Sequence, residues 1–216
     1  VLGLSGCGSM NNTTKMGLGG AGGGAAVGAI IGGLIGHGKG AAIGAAVGAA
    51  AGGTAGVLIG KKMDKQAKEL AQINGAQVDT VTDQNNLTAI RVTFDSGILF
   101  GFNKTNLSES AKKSLSQFAS SLRNNPETDV TILGYTDNVG TRAANEKVST
   151  QRAANVKTYL NQSGVSSTRM QSKGMAWDNP VASNNTEAGR AQNRRVEIYI
   201  TANETMVKQA ADGTLQ

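Results

Sequence analysis

The chain has 216 residues, a net charge of +6 and a hydrophobic content of 39%, which allows one globular domain with additional segments. Its single cysteine, Cys7, excludes an intrachain disulfide framework, and its single histidine, His37, argues against histidine-based catalytic triads, metal sites and cofactors. The basic residues are scattered among acidic ones without an aromatic-interleaved stripe, so we expect a solvated surface and no nucleic-acid partner.

The first seven residues, VLGLSGC, are typical of the end of a secretory signal. The stretch from Leu4 to Cys7 resembles the bacterial lipobox, a pattern that is cleaved before a lipid-modified cysteine. The resemblance implies that residues 1–6 are a signal remnant, that Cys7 is acylated, and that residues 7–16 form a linker. No aspartate follows Cys7, which implies sorting to the outer membrane. The alternative is a buried or free thiol near an ordinary N-terminus.

Glycine and alanine dominate residues 17–60, where a glycine occupies every fourth position from Gly20 to Gly60. As helices, residues 17–35 and 41–60 approach the thickness of a bilayer, and the polar turn between them predicts a helical hairpin. Small residues four positions apart let helix backbones approach closely. The glycines expected to make such contacts are Gly28, Gly32, Gly44, Gly48, Gly52 and Gly56.

Three interpretations of this hairpin stay open. It can insert into the membrane, also as an oligomer, or form a tight helical pair at the membrane or against a partner. It can also be a flexible spacer, because glycine and alanine bury little area. Neither end of the segment carries the tryptophan or tyrosine belt that marks a membrane interface.

From residue 61 onward the composition becomes that of an ordinary globular domain. We expect a linker that begins as a helix over residues 61–75, a domain over 76–202 and a C-terminal tail over 203–216. Alternating apolar and polar residues predict strands at 77–82 and 89–94. A short apolar run predicts a third strand at 130–135, and the remaining strands are expected at 170–175 and 196–201. A helix capped by Ser108 and a second helix at 145–160 complete the pattern. The order indicates an α+β sandwich with two main helices on a mixed sheet.

The residue spacing in the second helix predicts which of its side chains are buried and which two polar side chains share one face. Its apolar positions are Val148, Ala153, Val156 and Leu160. Asn145 and Arg152 are seven residues apart, so they lie within about 20° of each other on one helix face.

Asp137 follows an apolar strand, where its carboxylate emerges at the sheet edge. The carboxylate of Asp137, the amide of Asn145 and the guanidinium of Arg152 are therefore expected around one binding site. Such a site suits a ligand with both an ammonium and a carboxylate. The alternative is that Asp137 and Arg152 form a mutual surface salt bridge.

Residues 97–201 resemble the peptidoglycan-associating domain of the OmpA/MotB C-terminal family. With the lipobox and the glycine segment, the whole chain resembles outer-membrane lipoproteins of the YiaD type. The matching elements are Gly134 to Asp137, Gly140, Asn145, Ser149, Gln151 to Ala153, Gly164-Val165, Arg169, Gly174, Asn179-Pro180 and Gly189 to Glu197.

The resemblance implies a βαβαβ-type sandwich and noncovalent binding to the diaminopimelate of the peptidoglycan stem peptide. In the family, the residue at Asp137 binds the amine and that at Arg152 the carboxylate. Thr136, Asn145, Asn103 and Arg194 are implied to assist. Gly101 stands where the family usually has an aspartate, so no side-chain contact is carried over to that position. Asn193 and Arg195 are expected to support the loop, and Trp177 to pack beside it rather than stack on a glycan.

We therefore expect a noncatalytic protein that tethers the outer membrane to the cell wall, with its globular domain in the periplasm. The alternative is an oligomeric pore or assembly protein driven by the glycine segment and anchored by the domain. An enzyme acting on peptidoglycan finds no support, because the predicted domain has no histidine and no suitably spaced carboxylate pair.

Overall fold

A computed structural model describes residues 53–101 and 104–215. Lipidation at Cys7, the hairpin glycines from Gly28 to Gly52 and the site residue Asn103 lie outside this part of the chain. The described elements, in chain order, are α1 (Thr54–Leu70), β1 (Ala76–Thr82), β2 (Thr88–Asp95), α2 (Ser96–Leu99), α3 (Glu109–Asn124), β3 (Thr128–Gly134), α4 (Arg142–Gln162), a 3₁₀ turn (Ser167–Arg169), β4 (Met170–Gly174), α5 (Glu187–Asn193), β5 (Arg195–Ala202) and α6 (Glu204–Ala211).

The five strands form one mixed sheet in the order β1-β2-β5-β3-β4. β3 and β4 run parallel, and the other neighbours run antiparallel. The register aligns Val92, Ile198 and Ile132 across three central strands, and all three are fully buried. Because side chains alternate between the faces of a strand, this row defines one apolar face of the sheet.

The helices α1, α3, α4 and α6 contribute to a single core with that apolar face. The fold is therefore the predicted α+β sandwich with helices on a mixed sheet. The predicted strands are confirmed to within two residues at either end. The helix α3 begins as expected, since the Ser108 hydroxyl accepts a hydrogen bond from the amide of Ala111 at 3.1 Å.

The predicted linker at 61–75 differs from the structure. Helix α1 runs from Thr54 to Leu70, across the predicted boundary at 60/61, and buries one face in the core. The buried residues Ile59, Met63, Ala67 and Leu70 recur at helical spacing. The outer face of α1 is rich in lysine, so the composition of this segment resembles that of a solvated linker and does not reveal the buried apolar residues. Gly56, predicted to contact another helix, lies half-buried near the start of α1.

The C-terminal tail also contains a core element. Helix α6, Glu204–Ala211, buries Met206, Val207 and Ala210 against the same core. Asn203 caps it by accepting a hydrogen bond from the amide of Met206 at 3.1 Å. The part of the chain that the structure describes thus includes four packed helices of eight residues or more, two beyond the main pair that the sequence predicts.

None of the helices within residues 53–101 and 104–215 combines the length and apolar character needed to cross a membrane.

Candidate functional site

The site begins where β3 ends. A Cβ at Gly134, the last residue of β3, would overlap the backbone carbonyl of Ser149, so only glycine allows helix α4 to lie this close to the strand. Three residues later, Asp137 is 8% exposed. Its Oδ1 accepts a hydrogen bond from the amide of Val139 at 3.0 Å, which folds the following loop back onto the carboxylate.

Asp137 forms its ion pair with Arg194, with Nη1 of the arginine 2.6 Å from Oδ2 of the carboxylate. Arg194 follows the short helix α5, so the pair joins the end of β3 to the start of β5. The alternative in which Asp137 and Arg152 pair with each other as a surface salt bridge is wrong. Both residues are buried, and in the described part of the chain Asp137 forms its ion pair with Arg194 instead.

Arg152 lies on α4 and is 7% exposed. Its Nε and Nη2 both donate to the backbone carbonyl of Lys104, at 3.2 and 3.1 Å, and its guanidinium lies 5.1 Å from the ring centroid of Phe100. Burial lowers the pKa of Arg152, the charge of Arg194 lowers it further, and the charge of Asp137 opposes both. Within residues 53–101 and 104–215, Arg152 forms no salt bridge.

Asn145 shares the buried side of α4 with Arg152, as their spacing predicts. Its Nδ2 donates to the carbonyls of Val139 and Thr141, at 2.8 and 3.1 Å. The backbone of Val139 therefore connects Asn145 to Asp137, through its carbonyl on one side and its amide on the other. Asn145 thus braces the loop that presents the carboxylate.

Thr136 is buried beside Asp137 and anchors the strand end through its backbone. Its amide donates to the carbonyl of Ala176 at 2.7 Å. Its hydroxyl oxygen has no hydrogen-bond partner in the described part of the chain. A buried hydroxyl without a partner is costly, so this atom is a candidate for contact with a ligand.

Two further residues, Asn193 and Arg195, hold the loop that follows β4. The side chain of Asn193 accepts from the amides of Val181 and Ala182 and donates to the carbonyl of Ala182, as a loop-supporting residue should. The buried Arg195 donates to the carbonyl of Asn179 at 3.1 Å, which confirms the same expectation for it.

Trp177 is half-buried in this loop, and the guanidinium of Arg142 lies 5.3 Å from its ring centroid. Arg142 also pairs with the carboxylate of Asp178 at 2.6 Å, so this arginine ties the loop to the start of α4. The contact is consistent with a packing role for Trp177, which stays a prediction.

The structure thus brings Asp137, Arg194, Arg152 and Thr136 to one end of the sheet, with Asn145 behind the loop. Sequence reasoning missed Glu187, which accepts a hydrogen bond from Nη2 of Arg194 at 2.7 Å. Arg194 and Arg190 lower the pKa of Glu187. The sequence spacing indicates these contacts, because Arg190 and Arg194 follow Glu187 by three and seven residues and so lie on the same side of a helix.

The comparisons with known proteins divide the chain in two. Residues 99–194 match the OmpA family, and residues 1–64 match the YMGG-like Gly-zipper. The chain is 34% identical over 144 residues to the Escherichia coli protein named "Probable lipoprotein YiaD", covering 66% of this chain and 64% of that one. It is 40% identical over 113 residues to the peptidoglycan-binding protein ArfA of Mycobacterium tuberculosis, covering 52% and 35%.

A solved structure described as the cell wall anchor of the T6SS from Pseudomonas aeruginosa superposes with a TM-score of 0.55 and 26% identity. The match covers 65% of this chain and 97% of that one. This chain spans between 32% and 64% of the length of the first curated relatives that it matches. The names of the relatives describe outer-membrane proteins, a lipoprotein and a peptidoglycan-binding protein, in agreement with the expectation of a protein that is not an enzyme.

Proposed function

We propose that the chain binds peptidoglycan noncovalently and tethers the outer membrane to the cell wall. The premise is the match of residues 99–194 to the OmpA family and of residues 1–64 to the YMGG-like Gly-zipper. The names of the relatives support both ends of this tether. One is named a lipoprotein, one a peptidoglycan-binding protein, and one solved neighbour a cell wall anchor.

The ligand group that fits the site best is the diaminopimelate of the stem peptide. Asp137 binds its ammonium, and Arg152 binds its carboxylate through paired N–H groups. Thr136 offers its hydroxyl, Arg194 and Asn145 set the geometry, and Asn103 completes the set by resemblance alone.

The observation that carries this proposal is the buried guanidinium of Arg152. Removing a charge from water without a counter-charge costs several kcal/mol, so such a group is retained where a partner is expected. The described partners of Arg152 are a neutral carbonyl and an aromatic ring, neither of which balances its charge. A ligand carboxylate would supply the missing negative charge.

Acyl chains on Cys7 would hold the other end of the protein in the outer membrane, with the domain in the periplasm. More than one acyl chain gives stable anchoring, where a single chain is marginal. The wall then presents many stem peptides to a tethered domain. High effective concentration makes retention stable even when each site binds modestly.

A pull-down with purified diaminopimelate-containing sacculi tests the proposal. The variants Asp137→Ala and Arg152→Ala are expected to remain in the supernatant, whereas the wild type sediments with the wall. Asp79→Ala and Arg91→Ala are matched controls, because these residues form an exposed cross-strand ion pair at 2.9 Å on β1 and β2. Full sedimentation of both site variants would refute the assignment.

The Gly-zipper match favours a second role, in which copies of the chain associate through residues 17–60 to form a pore or an assembly. Cysteine crosslinking within this segment and conductance in liposomes test this role. A strictly monomeric, nonconducting protein would argue against it.

A further inference from the structure

The guanidinium of Arg194 is divided between two carboxylates. Its Nη1 donates to Oδ2 of Asp137 at 2.6 Å, and its Nη2 donates to Oε1 of Glu187 at 2.7 Å. An arginine facing one carboxylate favours a fork in which two N–H groups meet both oxygens in parallel. Arg194 makes a single hydrogen bond to Asp137, and its second nitrogen is directed at Glu187.

Glu187 is held in place by contacts other than Arg194. Its Oε2 accepts hydrogen bonds from Nη2 and Nε of Arg190, at 2.7 and 3.1 Å. A Cβ at Gly189 would overlap the carbonyl oxygen of Ser183, so helix α5 lies tightly against the preceding loop. The backbone at Glu187 is therefore placed by α5, and its carboxylate is held by Arg190 as well as by Arg194.

Asp137 retains the ability to accept further hydrogen bonds as a result. Its Oδ1 accepts from the amide of Val139, and its Oδ2 accepts from Arg194. The two oxygens of a carboxylate offer about four lone-pair sites, so neither oxygen is saturated. If Arg194 turned its second nitrogen onto Asp137, the fork would cover both oxygens and neutralise the charge that attracts an ammonium.

We propose that Glu187 is a positioning residue of the peptidoglycan site, which prevents Arg194 from closing on Asp137 and so keeps this carboxylate open to the ammonium of the ligand. This inference rests on the proposed function, in which Asp137 binds that ammonium. Glu187 acts through Arg194 rather than on the ligand, and its side chain is 68% exposed.

Isothermal titration calorimetry of the full chain in detergent tests this role with two probes. One is the tripeptide L-Ala-D-Glu-meso-diaminopimelate with its free amine, and the other is the same peptide with that amine acetylated. The wild type is expected to prefer the free amine. Glu187→Gln is expected to weaken binding of the free-amine peptide about fivefold, a difference of roughly 1 kcal/mol, and to leave the acetylated peptide unchanged.

The chain offers a close control in Glu109→Gln. Like Glu187, Glu109 is the first residue of a helix and pairs with a basic residue three positions later, here Lys112 at 2.6 Å. This variant is expected to bind both probes as the wild type does. Glu187→Asp retains the charge and is expected to restore part of the preference for the free amine.

The possible outcomes distinguish failure of the positioning role of Glu187 from failure of the proposed peptidoglycan function. If Glu187→Gln keeps the wild-type preference, or weakens both probes equally, the positioning role is wrong while the peptidoglycan function stands. If the wild type binds both probes equally, the assignment of the ammonium to Asp137 fails, and the role of Glu187 fails with it. If the wild type binds neither probe, the proposed function itself is overturned.

Discussion

Arg152 directs two nitrogens of its guanidinium at one neutral atom, the backbone carbonyl oxygen of Lys104, at 3.2 and 3.1 Å. This arrangement satisfies hydrogen bonds without balancing charge. Burial lowers the pKa of Arg152, because a charged group is less well solvated inside the protein than in water. Under the proposed function, such a side chain is expected to contribute more to ligand binding than to stability.

Arg152→Met is therefore expected to abolish binding while leaving the fold intact. Methionine fills a similar volume without a buried charge, and such replacements are often neutral or stabilising. The carbonyl of Lys104 loses its partner, so we expect a net change in the free energy of unfolding within about 2 kcal/mol. Urea denaturation measures stability, and sedimentation with sacculi measures binding.

Arg152→Lys refines this prediction, since lysine keeps the charge but loses the planar fork that grips a carboxylate. Binding should fall in this variant as well. Wild-type sedimentation of Arg152→Met would show that the guanidinium has no role in the site.

Thr136→Val separates binding from stability in a second way. The Thr136 hydroxyl is buried with no hydrogen-bond partner among the described residues, so valine removes an unsatisfied group at nearly equal volume. The variant should be as stable as the wild type or more stable, and it should bind the stem peptide more weakly if the hydroxyl meets the ligand. Thermal unfolding and calorimetry with the tripeptide measure the two effects.

Thr128→Val is the matched control, because Thr128 is equally buried but satisfied. Its hydroxyl donates to the carbonyl of Asn125 at 2.9 Å and accepts from Arg169 at 2.7 Å. Its loss leaves buried groups unpaired and should cost about 1–3 kcal/mol. Equal destabilisation by the two substitutions would contradict the distinction.

Regular apolar spacing predicts the buried side of α3 correctly, and the same rule fails on α4, where polar residues are buried. Helix α3 follows its pattern, and its apolar positions are all buried, namely Ala111, Leu115, Phe118, Ala119 and Leu122. On α4, the rule that buried residues are apolar selects Val148, which is only half-buried. Asn145, Ser149 and Arg152 occupy the buried side there instead, because that half of the helix faces the site.

The sequence places Asp137, Asn145 and Arg152 at the same end of the domain but does not predict that Asp137 pairs with Arg194. Asp137 and Arg194 are 57 residues apart, and no local rule joins them. The sheet topology brings the two residues together. Because β5 lies beside β3 and runs antiparallel to it, Arg194, which directly precedes β5, lies at the end of β3. The lysine carbonyl that accepts from Arg152 is a backbone group and leaves no signature in the sequence.

Ile59→Ala tests whether α1 belongs to the folded domain. Ile59 is fully buried in the common core, although it precedes the predicted start of the domain. Truncation to alanine should lower the free energy of unfolding by about 2–5 kcal/mol. Val57→Ala, two residues away and 58% exposed, should change it by no more than about 0.5 kcal/mol. Equal stability of the two variants would make α1 a linker after all.

Asp83→Asn gives a prediction with a defined pH dependence. Asp83 lies buried in the turn between β1 and β2, where its Oδ1 accepts from the amides of Asn85 and Leu87, at 2.8 and 3.0 Å. Burial raises the pKa of Asp83 above its ordinary value of 3.8, although both hydrogen bonds oppose this shift. Asparagine keeps an acceptor oxygen for both amides and carries no charge.

The raised pKa of Asp83 determines how the stability of the wild type changes with pH. Below pH 3.8 the carboxyl is protonated in the folded and unfolded states, so burial of Asp83 carries no ionic penalty. As the pH rises through the folded-state pKa, the folded protein must hold a buried charge, and the wild type loses that part of its stability. Asp83→Asn should therefore be more stable than the wild type at pH 7, and this advantage should shrink towards pH 3. Urea denaturation of both proteins at the two pH values measures the difference, and an advantage that grows in acid would contradict the burial argument.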